Sequence, residues 1–107
     1  MNTIRPIAWE VWLANVRFED APETKKRPVV VTETGEAFII ALKVTSHEPR
    51  DAWGEYALME WRTAGLKKQS TVRISKRLRL PKTALVHRIG VLHQADILAI
   101  RTIIASK

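Results

Sequence analysis

Short apolar runs recur along this chain, separated by polar stretches that carry proline or glycine, and this spacing predicts a succession of short strands. Residues 7–16 (IAWEVWLANV) are rich in Trp, Val and Ile and alternate only partly, which predicts a strand buried on both faces. The polar stretch 17–27, with Pro22 inside it, reads as a loop longer than the usual hairpin connection of about two to five residues. A second apolar run opens at Pro28, Thr34-Gly35 turns the chain, and residues 36–45 return as a third strand, together predicting a hairpin. Residues 46–54 form another loop with Pro49 and Gly54, and a short strand over 56–59 is ended by the glycine of Thr63-Ala64-Gly65-Leu66. Residues 70–80 alternate. Val72, Ile74, Leu78 and Leu80 oppose Arg73, Ser75, Arg77 and Arg79, with Lys76 out of step, so one face is apolar and the other almost all arginine. A last strand over 86–92 precedes residues 94–105, where Ile97, Leu98, Ile100, Ile103 and Ile104 recur at helical spacing. The sum is a mainly β (minor α+β) fold, a small, partly open barrel of five to seven strands with a C-terminal helix.

Composition narrows the function classes. At 107 residues the chain is expected to be one domain, 1–107, and marginal enough as a monomer that a homodimer is expected. There is no cysteine, hence no disulfide framework and no thiolate nucleophile, and the scattered His47, His87 and His93 make no Cys/His zinc site. No metal and no cofactor is expected. The apolar runs are far shorter than the roughly 18–20 residues that span a bilayer, and no signal-peptide pattern opens the chain, so the expectation is a cytoplasmic protein without membrane contact.

Charge is unevenly divided. Residues 1–60 hold seven Lys and Arg against ten Asp and Glu, whereas residues 61–107 hold eleven against Asp96 alone. A basic segment of this density points to an anionic partner such as RNA, DNA or an acidic protein segment, the alternative being a solvated face that keeps a small protein soluble. Arg27, after Lys25 and Lys26, stands where the long loop meets a strand; its planar fork suits a phosphate, and the plainer reading is a basic strand start facing water. Thr45 and Ser46 end the third strand with His47 behind them, and their hydroxyls are able either to bond a phosphate or to cap a turn. Arg73, Ser75, Arg77 and Arg79 on one strand face would form a row about 7 Å apart, near the phosphate repeat of a single-stranded nucleic acid. Trp53, Tyr56 and Trp61 flank it as base-stacking or packing residues, while Trp9 and Trp12 belong to the buried first strand or a dimer contact.

In order, WLANV, a polar loop, KRPVVV, a hairpin, KVTS, AGLKKQSTVRISKR, a turn, HRIGVL and a short amphipathic helix resemble the PemK/MazF-type toxins of bacterial toxin–antitoxin systems, over roughly residues 8–104. The resemblance implies an SH3-like barrel, a homodimer, and a metal-independent endoribonuclease that cuts single-stranded RNA at short sequences. It also implies an acidic antitoxin whose disordered tail occupies the RNA groove. Matched by position, Arg27 and Thr45 take the places of the family's catalytic arginine and threonine, and Arg73 that of an arginine on the fifth strand. The neighbouring acid of related enzymes is replaced by Ser75, and the loop glutamate's place is held by Pro22, with Glu23 one step on. The RNA-contacting set is then Lys25, Lys26, Ser46, His47, Trp53, Ser75 and Arg77. Two rivals remain at this level: a non-catalytic barrel that binds RNA or an acidic protein, and a topoisomerase poison of related fold that acts through its C-terminal helix.

Overall fold

The computed structural model describes residues 4–17 and 23–106. Its strands are β1 (Glu10–Arg17), β2 (Thr24–Thr34), β3 (Phe38–Thr45), β4 (Glu55–Ala57), β5 (Thr71–Pro81) and β6 (Leu85–Val91), with a 3-10 turn at Lys82–Ala84 and a C-terminal helix α1 (Gln94–Ala105). All six pair antiparallel in one sheet, in the order β4-β5-β3-β2-β1-β6. The sheet is not closed, for β4 and β6 are its two edges. The segment after β4 nevertheless lies tightly against β6: a Cβ on Gly90 would stand 2.3 Å from the Ala64 carbonyl oxygen. The expected mainly β architecture with one C-terminal helix is the observed one.

Both sheet faces are covered. On one, Val11, Val30, Leu42, Val44 and Val72 form a core with Leu58, Ala64 and the helix residue Ile100. On the other, Trp12, Ala14, Val16, Val29, Val31, Ile39 and Ala41 pack with Leu85, Leu78 and Leu80. Strand β1 therefore feeds both cores, as its near-continuous apolar sequence predicts. Of the apolar helix positions, Ile97, Ile103 and Ile104 pack on the first core, but Leu98 is exposed.

Three sequence expectations change. β1 starts at Glu10 because Trp9 adopts a left-handed backbone (φ 74°), its N–H bonding the Val31 carbonyl and its carbonyl accepting from Leu92 N–H. The β1–β2 ladder runs out to Arg17 opposite Thr24, which places Lys25, Lys26 and Arg27 inside β2 instead of in a loop. Pro22 lies outside the described residues, and Glu23 is exposed. The arginine row is also split. Lys43 lies opposite Arg73 but Leu42 lies opposite Arg77, so Ile74, Ser75 and Lys76 bulge out of the ladder. An odd number of extra residues switches the faces. Arg73 thus shares a face with Lys43, while Arg77 and Arg79 share the opposite face with Leu42 and Ile40.

Candidate active site

Pairing between β2 and β3 stops at Val29 opposite Lys43, although β2 stays paired to β1 down to Thr24 and β3 to β5 up to Thr45. The sheet forks there, next to Pro28, which has no N–H to donate. A groove of about 880 Å³ opens at the fork, lined by both branches and by residues 65–68 and 87–89. Extending the register two residues past the last pair sets Arg27 level with Thr45 across the fork, on the same face. Thr45 is in turn opposite Thr71, and Arg73 sits two residues further along β5, a diagonal neighbour at roughly 7–8 Å between backbones. Arg27, Thr45 and Arg73 all line this groove, together with Ser46 and His47.

The turn after β3 is held from both sides. Thr45 Oγ1 accepts from His47 N–H at 3.3 Å, and Thr71 Oγ1 donates to the His47 carbonyl at 2.6 Å. Thr45 therefore caps a turn and lines the groove at once. Because its oxygen is the acceptor in the capping bond, its hydroxyl hydrogen is left to donate. Arg27 Nη1 donates to the Lys26 carbonyl at 3.2 Å, which draws the guanidinium along the strand.

The lining is strongly positive: Arg27, Lys43, Arg50, Lys67, Lys68, Arg73 and Arg88 stand against one carboxylate, Glu55. Glu55 Oε1 accepts from Arg50 N–H at 2.8 Å and Oε2 from Arg73 Nε at 2.9 Å. The Arg50 backbone bond, then Arg73, outweigh burial and hold the Glu55 carboxyl below its usual range. On the β6 side, Arg88 Nε donates to Glu10 Oε2 at 2.6 Å while Glu10 Oε1 accepts from Ile7 N–H and Trp12 Nε1. Burial works against ionisation of Glu10, but the bonds from Trp12, Ile7 and Arg88 prevail and lower its pKa.

Five residues of the expected RNA-contacting set stand outside the groove lining. Lys25 and Lys26 are exposed on β2 just beyond Arg27, Trp53 is half exposed in the 46–54 loop, and Ser75 lies exposed in the bulge. Arg77 is on the opposite sheet face. Tyr56 and Trp61 pack against the first core, which favours the packing alternative for both; Tyr56 OH donates to Asp96 Oδ1 at 2.6 Å, and burial followed by that carboxylate raises its pKa. Glu55 and the wholly buried Asp96 had no motif to announce them. Among the described residues, no group of three His, Cys, Asp or Glu is placed to hold a metal ion, and no helix is long and apolar enough to cross a membrane.

Solved structures share this fold at low sequence identity. An endoribonuclease from a mycobacterial species superposes with a TM-score of 0.71 at 16% identity, over 94% of this chain and 88% of its own. An endoribonuclease in complex with its cognate antitoxin, also mycobacterial, gives 0.73 at 16% identity, over 95% and 93%. The Mycobacterium tuberculosis toxin MazF-mt6 gives 0.73 at 20% identity, over 91% and 93%. Among curated protein sequences, none matches the chain. The family model of PemK-like, MazF-like toxins of type II toxin-antitoxin systems matches residues 8–106, nearly the whole length. The chain belongs to this toxin family.

Proposed function

We propose that this toxin is a metal-independent, sequence-specific endoribonuclease that cleaves single-stranded RNA in the cytoplasm as a homodimer. An acidic antitoxin restrains it by competing for the same basic groove. The observation that carries the reading is the convergence of Arg27 and Thr45 on one face of a cationic groove, across the fork between β2 and β3. That the fold is shared with proteins named as endoribonucleases, one of them bound to its antitoxin, supports it.

RNA carries its own nucleophile, so the protein need only position and neutralise. The ribose 2′-oxygen loses its proton and bonds to the adjacent phosphorus, the bond from phosphorus to the 5′-oxygen breaks, and that oxygen takes up a proton. The products are a 2′,3′-cyclic phosphate and a 5′-hydroxyl. Arg27 stabilises the charge that builds on the phosphorane, Thr45 donates to a non-bridging oxygen, and Arg73 adds a second cation. Glu55 is a poor proton acceptor here, because both its oxygens are engaged and its pKa is lowered. Ser46 and His47 line the RNA path, while Lys25, Lys26, Trp53 and Ser75 contact more distant nucleotides; Arg77, on the opposite sheet face, takes no part. DNA, lacking the 2′-hydroxyl, is not cut. The test is cleavage of RNA by purified protein and by Arg27→Ala and Thr45→Val. Each variant should lose about 10²–10³ in kcat while circular dichroism shows an unchanged fold. Full activity in Arg27→Ala refutes the assignment.

A further inference from the structure

A carboxylate in a groove that receives a polyanion repels what the surrounding cations attract. Glu55 is nevertheless there, its side chain only 3% exposed, directly opposite Arg73 on the neighbouring strand. Each of its oxygens holds something different: Oε1 the Arg50 backbone N–H of the 46–54 loop, Oε2 the Arg73 Nε. Arg73 in turn stands diagonal to Thr45. A long arginine side chain samples many rotamers, and a bond at Nε to a carboxylate that is itself fixed removes most of them. Because that bond takes Nε, the Nη hydrogens lie outside it and present a fork to a phosphate.

We propose that Glu55 is a positioning residue, a clasp that fixes the Arg73 guanidinium beside Thr45 and ties the 46–54 loop to β5. The role rests on the ribonuclease reading for its purpose, though the clasp itself is independent of it. Glycine at position 54 serves the same juxtaposition: its carbonyl accepts from Ile74 N–H at 2.6 Å, and a Cβ there would stand 2.9 Å from the Ser75 nitrogen.

Two readouts separate the clasp from the activity. In the first, steady-state cleavage of a short RNA is compared for wild type, Glu55→Gln, Arg73→Ala, the double variant and Arg73→Lys. Glu55→Gln should lower kcat about tenfold with little change in KM, and Arg73→Ala should lower it about 10²–10³-fold. The double variant should be no slower than Arg73→Ala. Arg73→Lys, which keeps the charge without the fork, should lose at least about tenfold. A Glu55→Gln protein with unchanged kcat and a lower KM would show that the carboxylate acts only as a repelling charge. That result, a double variant slowed by both factors multiplied, or an Arg73→Lys enzyme as fast as wild type overturns the proposal. In the second, the Arg73 Nε–H resonance is followed by NMR at neutral pH without RNA. It should be visible in the wild type and lost in Glu55→Gln, and its absence from the wild type overturns the clasp. If the wild type cuts no RNA, the ribonuclease reading fails while the NMR result still decides the clasp.

Discussion

Replacing Asp96 by alanine is expected to lower the melting temperature by at least about 12 °C, although Asp96 does not line the groove. Its side chain is completely buried in the first turn of α1 and accepts three hydrogen bonds, one from β4 (Tyr56 OH at 2.6 Å) and two from the segment after it (Met59 N–H at 2.9 Å and Glu60 N–H at 2.9 Å). Bonds to a charged acceptor contribute roughly 1.5–3 kcal/mol each, and water reaches the exposed Met59 and Glu60 once the carboxylate is gone, so the sum falls at about 3–5 kcal/mol. In a domain of this size each kcal/mol moves the melting temperature by roughly 4–8 °C, so Asp96→Ala should melt at least about 12 °C below wild type. Tyr56→Phe, which removes one of the three bonds, should cost about 1–2 kcal/mol. Thermal unfolding followed by circular dichroism measures both. A shift below about 4 °C for Asp96→Ala would mean that the carboxylate does not hold the 58–66 segment to the helix.

Other consequences follow from the packing and the charges around the groove. Gly90→Ala drives a Cβ into the Ala64 carbonyl, a backbone atom that cannot swing away, and should cost about 1–3 kcal/mol in chemical denaturation; wild-type stability would contradict the tight crossing. Affinity for a non-cleavable single-stranded analogue should fall with salt. If all seven cations each neutralise a phosphate, the log–log slope reaches about −5, and removing Lys67 should reduce it by about 0.7; a slope near zero denies the groove a phosphate ligand. Glu10 and Glu55 both have folded-state pKa values below the unfolded value near 4.5. Their stabilisation is complete above that value and is lost as pH falls through the lower, folded values. Melting temperature should therefore drop on acidification below about pH 4.5, and less steeply in Glu10→Gln; identical slopes in variant and wild type would deny Glu10 that part.

The element types were legible in the chain because local rules set them: β-branched runs, a Thr-Gly turn, helical spacing from Ile97 to Ile104. What changes the site is non-local. Lys76 breaks the alternation of 70–80 in the sequence, but that a three-residue bulge there would turn Arg77 away from Arg73 depends on pairing with β3. Arg27 and Thr45 were marked by residue type and resemblance, whereas their lining of one groove on either side of a fork depends on where the β2–β3 ladder ends. Glu55 and Asp96 lie on no motif. One pairs with an arginine eighteen positions away and the other with a tyrosine forty away, separations that a pattern along the chain does not encode. Trp61 and Tyr56 illustrate the converse, since an aromatic next to a basic segment looks the same whether it stacks on a base or fills a core.

The most direct measurement is the fate of one bond. An RNA oligonucleotide with a mapped cut site is resynthesised with a single 2′-deoxy sugar on the 5′ side of that bond, and the products of both substrates are weighed by mass spectrometry. The all-RNA strand should yield a cyclic phosphate and a 5′-hydroxyl, and the deoxy position should stay uncut with binding retained. Scission at the deoxy position would contradict this chemistry, because the nucleophile would then have to come from somewhere other than the RNA.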